Sequence, residues 1–373
     1  MTSLLPASST DIYERVLEET RLARWAELRA ATPGIWTGKR ISPAPDVLPF
    51  LVFEDGLGML TPYVDNVYEL LDGRGVRWMR VRGTYDAIAR GLAFLGITAT
   101  AEPAWHGRVW WNSFQLRFPA LPANDRPLLE RIEGVTRLSG PKRSDLRRGV
   151  HQYDVGPLIG NASRLNQSLL DRESGIRLKD RGTLWSFGRT MEIDHTLTEA
   201  EGLAIGNWIE EPEEGGLPWV SMTYPWVTAT FLWATSPAAQ RRALMAASFT
   251  ARPIYVRLQD AAGVVIGYRR CRACHAVTQV LDGRYRIAGQ SWSPAPAGQT
   301  AYIEAMSGFC DADGVAARTV ALMAGITLAA GVPPGRLWLK PEEVTSGVPF
   351  AETPISLPLR ATVRERFKFL VRF

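Results

Sequence analysis

Pro45-Asp46-Val47-Leu48-Pro49-Phe50-Leu51 and, further on, Arg82-Gly83-Thr84-Tyr85-Asp86-Ala87-Ile88-Ala89-Arg90-Gly91-Leu92-Ala93-Phe94-Leu95-Gly96 frame the region that decides how this chain is read. Ahead of the first stretch, Ser42-Pro43 fits a helix N-cap with proline at the first helical position, where its missing N–H costs nothing and its fixed φ suits the helix. Asp46 then lies near the positive end of the helix dipole. Leu48, Phe50, Leu51, Val52 and Phe53 make this short helix apolar nearly all round, so it is expected to be buried against something larger. Glu54-Asp55-Gly56 and Gly58 end it.

A second start is predicted at Thr61-Pro62, with Val64, Val67 and Leu71 on one side, Asp65, Glu69 and Asp72 on the other, and Gly73 and Gly75 as the stop. The third helix opens at Gly83-Thr84 with Thr84 as N-cap. Ile88, Leu92 and Leu95 form its stripe, and Gly96 supplies a left-handed C-cap.

With Leu4-Leu5-Pro6 near the start, Asp46-Val47-Leu48-Pro49-Phe50-Leu51 in the middle and Arg82-Gly83-Thr84 running to Leu95-Gly96, the first 110 or so of the 373 residues resemble the phage tail protein I family. The information lies in the joint order of these pieces around capped helices. Where that family usually has a tryptophan-rich stretch, this chain has Glu54-Asp55-Gly56-Leu57-Gly58-Met59. The resemblance implies a baseplate wedge component, present in multiple symmetric copies, that links hub, sheath-initiator and fibre subunits in a virion tail assembled in the host cytoplasm.

Working outward, a long N-terminal helix is expected from about Asp11 to Ala30, capped by Thr10 or Asp11 with Glu14 at capping-box spacing and closed by Pro33-Gly34. Tyr13, Trp25 and Leu28 spread around it, which leaves two readings open: burial in its own domain, or packing on partner helices. From Pro119 to about Arg189 the texture changes to scattered Pro, Gly, Asn, Ser and basic residues, and a connecting arm is expected, after a hairpin near Trp105 to Phe118. Long ordered loops are uncommon inside compact domains, so neighbouring subunits are expected to hold such an arm.

A capping box at Thr198-Glu199-Ala200-Glu201 announces a helix. Beyond it, strands are predicted at Val227 to Trp233, Ile254 to Leu258 and Val264 to Arg269, with a hairpin from Val277 to Ala288 turning at Asp282-Gly283. Helices are predicted from Ser236-Pro237 to Phe249 and, in a run of small residues, from Val315 to Leu328. The chain ends in strict alternation: Val363, Phe367, Phe369, Val371 and Phe373 one way, Arg364, Arg366, Lys368 and Arg372 the other. The basic face is either protection of an edge strand or a docking surface for an acidic partner.

The expected fold class is therefore α+β and multidomain: a helical domain over 1–110, an irregular connecting arm over 111–190, and a mixed α/β interaction domain with antiparallel strands over 191–373. Length exceeds one usual core. Hydrophobic residues at 46% and charged ones at 22% are an ordinary globular balance. No apolar run approaches a bilayer span, and the N-terminus lacks the charged and apolar regions of a signal peptide.

The net charge of +5 gathers in two groups, Arg137, Lys142, Arg143, Arg147, Arg148 and Arg177, Lys179, Arg181, Arg189. Stacking aromatics on a recognisable module are missing, so no specific nucleic-acid partner is expected; a solvated or interface surface is. Walker, dinucleotide, zinc-helix and nucleophile-elbow motifs are missing too, so neither an enzyme nor a cofactor is expected.

Cys271-Arg272-Ala273-Cys274-His275 spells a haem-attachment string without an export signal. Zinc held by Cys271, Cys274, Cys310 and a histidine, or a reduced thiol pair in a β-turn, are the other readings. Interface candidates are Trp25, Phe50, Trp105, Trp110, Trp111, Arg147, Arg148, Arg364, Arg366, Lys368 and Phe373, the aromatics as anchors and the cations as rim. A distal glycan-binding tail protein and a cell-wall hydrolase stand as alternatives, each awaiting its groove or carboxylate pair.

Overall fold

The computed structural model describes residues 11–104, 111–152, 174–210, 237–333 and 335–373. The expected strand at Val227 to Trp233 lies outside them. The chain divides into two compact units, one of Met1–Ala101 with Arg126–Leu146 and one of Glu102–Asp125 with Arg147–Phe373.

The first unit is helical. It contains α1 (Ile12–Trp36), α2 (Leu48–Glu54), α3 (Arg74–Val81), α4 (Tyr85–Ala93) and α5 (Leu128–Ser139), with 3-10 turns at Leu57–Leu60 and Val67–Asp72. Its core gathers Val52, Leu57, Leu60, Val67, Leu70, Trp78, Ala87 and Val135. Thr84 caps α4 as expected, accepting from the Ala87 N–H at 3.3 Å, and Gly96 takes a left-handed φ of 67°. Gly91 permits close packing of α4 on α5, because an added Cβ would lie 2.7 Å from Val135 and 2.6 Å from Ser139. The buried Trp78 indole donates to Ser139 at 2.9 Å, and Ser139 passes the bond to the Val135 carbonyl at 2.7 Å.

Three expectations change here. The helix expected after Thr61-Pro62 is a 3-10 helix starting after Asn66, whose side chain accepts from the Tyr68 N–H. Gly73, at a left-handed φ of 98°, ends that 3-10 helix as expected, but α3 starts directly after it, with Gly75 packed where Leu57 leaves no room for a Cβ. Part of the stretch expected as an irregular arm is α5, whose buried Leu129, Ile132 and Val135 recur at helical spacing.

The second unit is built on a large, mostly antiparallel sheet with one helix in its core. Its strands are β1 (Thr100–Pro103), β2 (Ser113–Arg117), β3 (Asp145–His151), β4 (Ile176–Arg177), β5 (Leu184–Thr196), β6 (Tyr255–Gln259), β7 (Val265–Val280), β8 (Tyr285–Ile287), β9 (Gln290–Pro294), β10 (Thr300–Met306), β11 (Ala316–Leu328), β12 (Trp338–Leu339), β13 (Val344–Pro358) and β14 (Val363–Arg372), with helices α6 (Glu199–Ala204) and α7 (Pro237–Thr250). The order along the main path is β1-β2-β3-β5-β14-β10-β7-β6-β11-β13. β5 pairs in parallel with both β3 and β14.

β7 joins the two halves of the sheet: its first residues pair with β6, and Cys271 to Val277 pair with β10. Strands that switch sheets in this way make corners. The main core lies against both halves, with Phe367, Phe369, Val371 and Ile303 from one, Val256, Val320, Leu322 and Phe350 from the other, and Met245 and Phe249 of α7.

β11 overturns the helix expected at Val315 to Leu328. Its small residues favour a helix locally, but pairing with β6 and β13 on either side makes it an interior strand. The hairpin expected at Asp282-Gly283 is not formed either. β8 turns back onto β9 through Ala288-Gly289, whose φ values of 51° and 74° fit a type I′ turn. The alternation of β14 is real, with Val363, Phe367, Phe369 and Val371 all buried. It is not an edge strand, however: β5 lies on one side and β10 on the other, so edge protection is not the role of its basic face.

Candidate protein–protein interface

α1 begins where Asp11 accepts from the Tyr13 N–H at 2.8 Å. It runs through Pro33 to Trp36 and continues as a wider turn to Ile41, beyond the stop expected at Pro33-Gly34. Apart from Glu18, each α1 residue whose exposure is described is exposed. Ile12, Tyr13, Val16, Leu17, Leu28 and Trp36 all stand in solvent, and Trp25 is 62% exposed.

α2 adds to this surface. Leu51 and Val52 are buried, but Phe50 is 74% and Phe53 88% exposed, contrary to the expectation that the whole helix is covered. The Lys39–Glu54 ion pair at 2.6 Å ties the turn after α1 to the end of α2. Scattered exposed apolar residues are normal, whereas a run of them along one helix and its neighbour marks an interaction surface. An isolated helix without tertiary packing is marginal in water.

In the second unit, Trp111 is exposed, while Trp105 and Trp110 lie outside the described residues. The cations proposed for docking are engaged within the unit. Arg148 is fully buried and donates to the Ser174 carbonyl and hydroxyl at 3.1 and 2.9 Å; Arg147 is half-buried. Arg366 forms two bonds to Glu304, at 2.9 and 3.0 Å, and Arg364 lies 4.6 Å over the Phe309 ring. Lys368 reaches Glu192 at 3.0 Å and the Arg286 carbonyl at 2.7 Å. Phe373 stacks on Phe249 at 5.8 Å and packs against the core.

The parallel register of β5 and β14 explains this use of charge. Arg189 faces Glu365, Glu192 faces Lys368, and Asp194 lies two places from Arg372's partner Thr196. Burial pushes the Glu365 carboxyl above its ordinary range even though Arg189 donates to both its oxygens. For Glu192 burial also acts upward, but the Ala288 N–H and Lys368 outweigh it and hold the carboxyl low. These side chains pair within the sheet, and sequence alternation alone does not show what stands beside each cation.

A second charged knot fastens the start of β14. Asp125 accepts from Arg360, from the Thr362 hydroxyl at 2.6 Å and from the Thr362 N–H at 3.2 Å, and Arg360 also donates to the Pro122 carbonyl at 2.6 Å. Neither Asp125 nor Arg360 was singled out from sequence, since their contact spans 235 positions.

Cys271 and Cys274 lie inside β7, not in a β-turn, and Cys310 lies on the loop after β10. Burial and the carboxylates of Asp313, Asp311 and Asp125 push the Cys310 thiol up, away from the thiolate a metal requires. Among the described residues no three His, Cys, Asp or Glu side chains gather as a metal-holding group. His275 stacks on Tyr285 at 5.9 Å. No helix among the described residues is long and apolar enough to cross a membrane.

No curated protein matches the chain. Residues 245–373, from within α7 to the end of β14, match the family described as Baseplate wedge 3 tail fiber network component. That match supports a phage baseplate wedge family for this protein.

Proposed function

We propose that this chain is a structural, non-catalytic wedge subunit of a phage or phage-like tail baseplate, joined through its N-terminal helices to other subunits that connect hub, sheath and fibres. The observation that carries this reading is the uncovered apolar surface of α1 and α2, with Trp25, Leu28, Trp36, Phe50 and Phe53 all in solvent. The family match of the C-terminal residues supports the setting, a virion tail. The resemblance of the N-terminal residues to tail protein I supports the finer assignment.

The test is co-expression of the full chain with the other baseplate subunits of the same particle, read by size-exclusion chromatography with light scattering. A defined complex is expected. Replacing Trp25→Asp and Leu28→Asp together should weaken it at least 30-fold, since truncating a buried tryptophan hot spot alone costs about 2 kcal/mol or more. The circular dichroism and melting of the isolated chain should hardly change, because both side chains are exposed there. A free monomer that ignores those subunits and binds glycans or cleaves cell wall would overturn the proposal.

A further inference from the structure

Residues three apart on a regular strand point to opposite faces and lie about 10 Å apart, too far for their sulfurs to meet. Cys271 and Cys274 are three apart on β7, but the strand is not regular there. Glu304 of β10 faces Ala273 while the next residue, Ala305, faces Cys271, so Arg272 is the extra residue of a β-bulge.

The bulge turns both cysteines to one side. Cys274 stands opposite Ile303 and Cys271 opposite Ala305, and both pack on the main core that contains those residues. Ala273, between them, faces the smaller cluster on the other side of the sheet. Their spacing is therefore that of Ile303 and Ala305, two strand steps or about 6.8 Å. That is the long end of the Cα span a disulfide bridges. Both residues are intermediate in exposure. Burial, with Cys274 beside it, pushes the Cys271 thiol well above its ordinary range.

We propose that Cys271 and Cys274 are a redox-closing pair, which a small-molecule disulfide oxidises to an intrachain bond pinning the bulge where β7 passes between the two halves of the sheet. One thiolate attacks the oxidant, releasing one small thiol and leaving a mixed disulfide. The second cysteine displaces the other small thiol. The protein loses two protons and two electrons, and the oxidant becomes two thiols. The baseplate reading supplies only the occasion, since a virion leaves the reducing cytoplasm for an oxidising exterior.

The full-length purified chain is incubated natively with oxidised glutathione, quenched by alkylation and analysed by peptide mass. The expected peptide carries neither alkyl tag nor glutathione at Cys271 and Cys274 and weighs about 2 Da less than the dithiol, as loss of two hydrogens requires, while Cys310 is not bridged to either. Cys271→Ser and Cys274→Ser each abolish closure. The denatured wild-type chain, in which no bulge turns the two cysteines to one side, should close at least 10-fold less completely than the native one. Two alkylatable thiols after native oxidation, arrest at the glutathione adduct, a bridge to Cys310, or equal closure in the denatured chain would each overturn the proposal. The readout is independent of assembly, so its failure leaves the baseplate reading untouched.

Discussion

Glu201 shows how much one side chain holds together in this fold. Its carboxylate closes the capping box of α6 with Thr198, accepts from His195 at 2.9 Å, and takes the Ala351 N–H of β13 at 2.8 Å. Burial alone would raise its pKa, but the Thr198 N–H, His195 and the Ala351 N–H outweigh that and hold it at about 2, against 4.5 when free. A carboxyl held lower in the folded state than in the unfolded one stabilises fully above the unfolded value, and that contribution fades as pH falls from about 4.5 to about 2. Glu201→Gln is accordingly expected to lower stability at pH 7 by up to about 3 kcal/mol. The gap between variant and wild type in urea titrations should close progressively below pH 4.5. A gap unchanged down to pH 2.5 would show that the loss does not come from the carboxylate's charge.

At the scale of elements, the β5–β14 pair separates charges that matter from charges that do not. Arg189 binds the nearly buried Glu365 through two nitrogens, at 2.9 and 2.6 Å, and also donates to the Pro358 carbonyl. Arg189→Met leaves Glu365 buried without its cation, an expected loss of about 3–5 kcal/mol. Asp194 pairs with Arg372 in solvent at 2.8 Å, and Asp194→Asn should cost no more than about 0.5 kcal/mol in the same denaturant assay.

This pair also marks where sequence reading stops. The alternation of β14, the caps of α4 and α6 and the buried stripe Ile88–Leu92 were legible because each is a local signal of period or capping. That β14 lies between two strands was not, because its partner β5 is far away in sequence. β11 was misread for a related reason: its alanines suit a helix until β6 and β13 pair with it. α5 was legible in the spacing of Leu129, Ile132 and Val135 but was obscured by the prolines and arginines around it. The apolar surface of α1 lay between these cases: its residues were visible, but their exposure followed only from the packing of everything else.

For the molecule as a whole, the two units have separate cores, one around Trp78 and one around Phe367 and Phe369. The chain passes between units at three places, Ala101 to Glu102, Asp125 to Arg126 and Leu146 to Arg147. On the side of the sheet unit two of these are fixed by charge: Arg117 and Gln115 hold Glu102, and Arg360 and Thr362 hold Asp125. Separate cores predict separate cooperative transitions, the usual departure of multidomain chains from two-state unfolding. Trp78→Ala and Phe369→Ala each remove a fully buried aromatic, at a cost of about 3–5 kcal/mol. In calorimetry of the full chain, each should lower one transition by roughly ten degrees and leave the other in place. The transition moved by Trp78→Ala should be the smaller in enthalpy, since it belongs to the unit with fewer residues. A single transition displaced by either substitution would mean that the three crossings weld both cores into one cooperative body. In that case burial of α1 by a partner would stabilise the C-terminal sheet as well as the helices it touches.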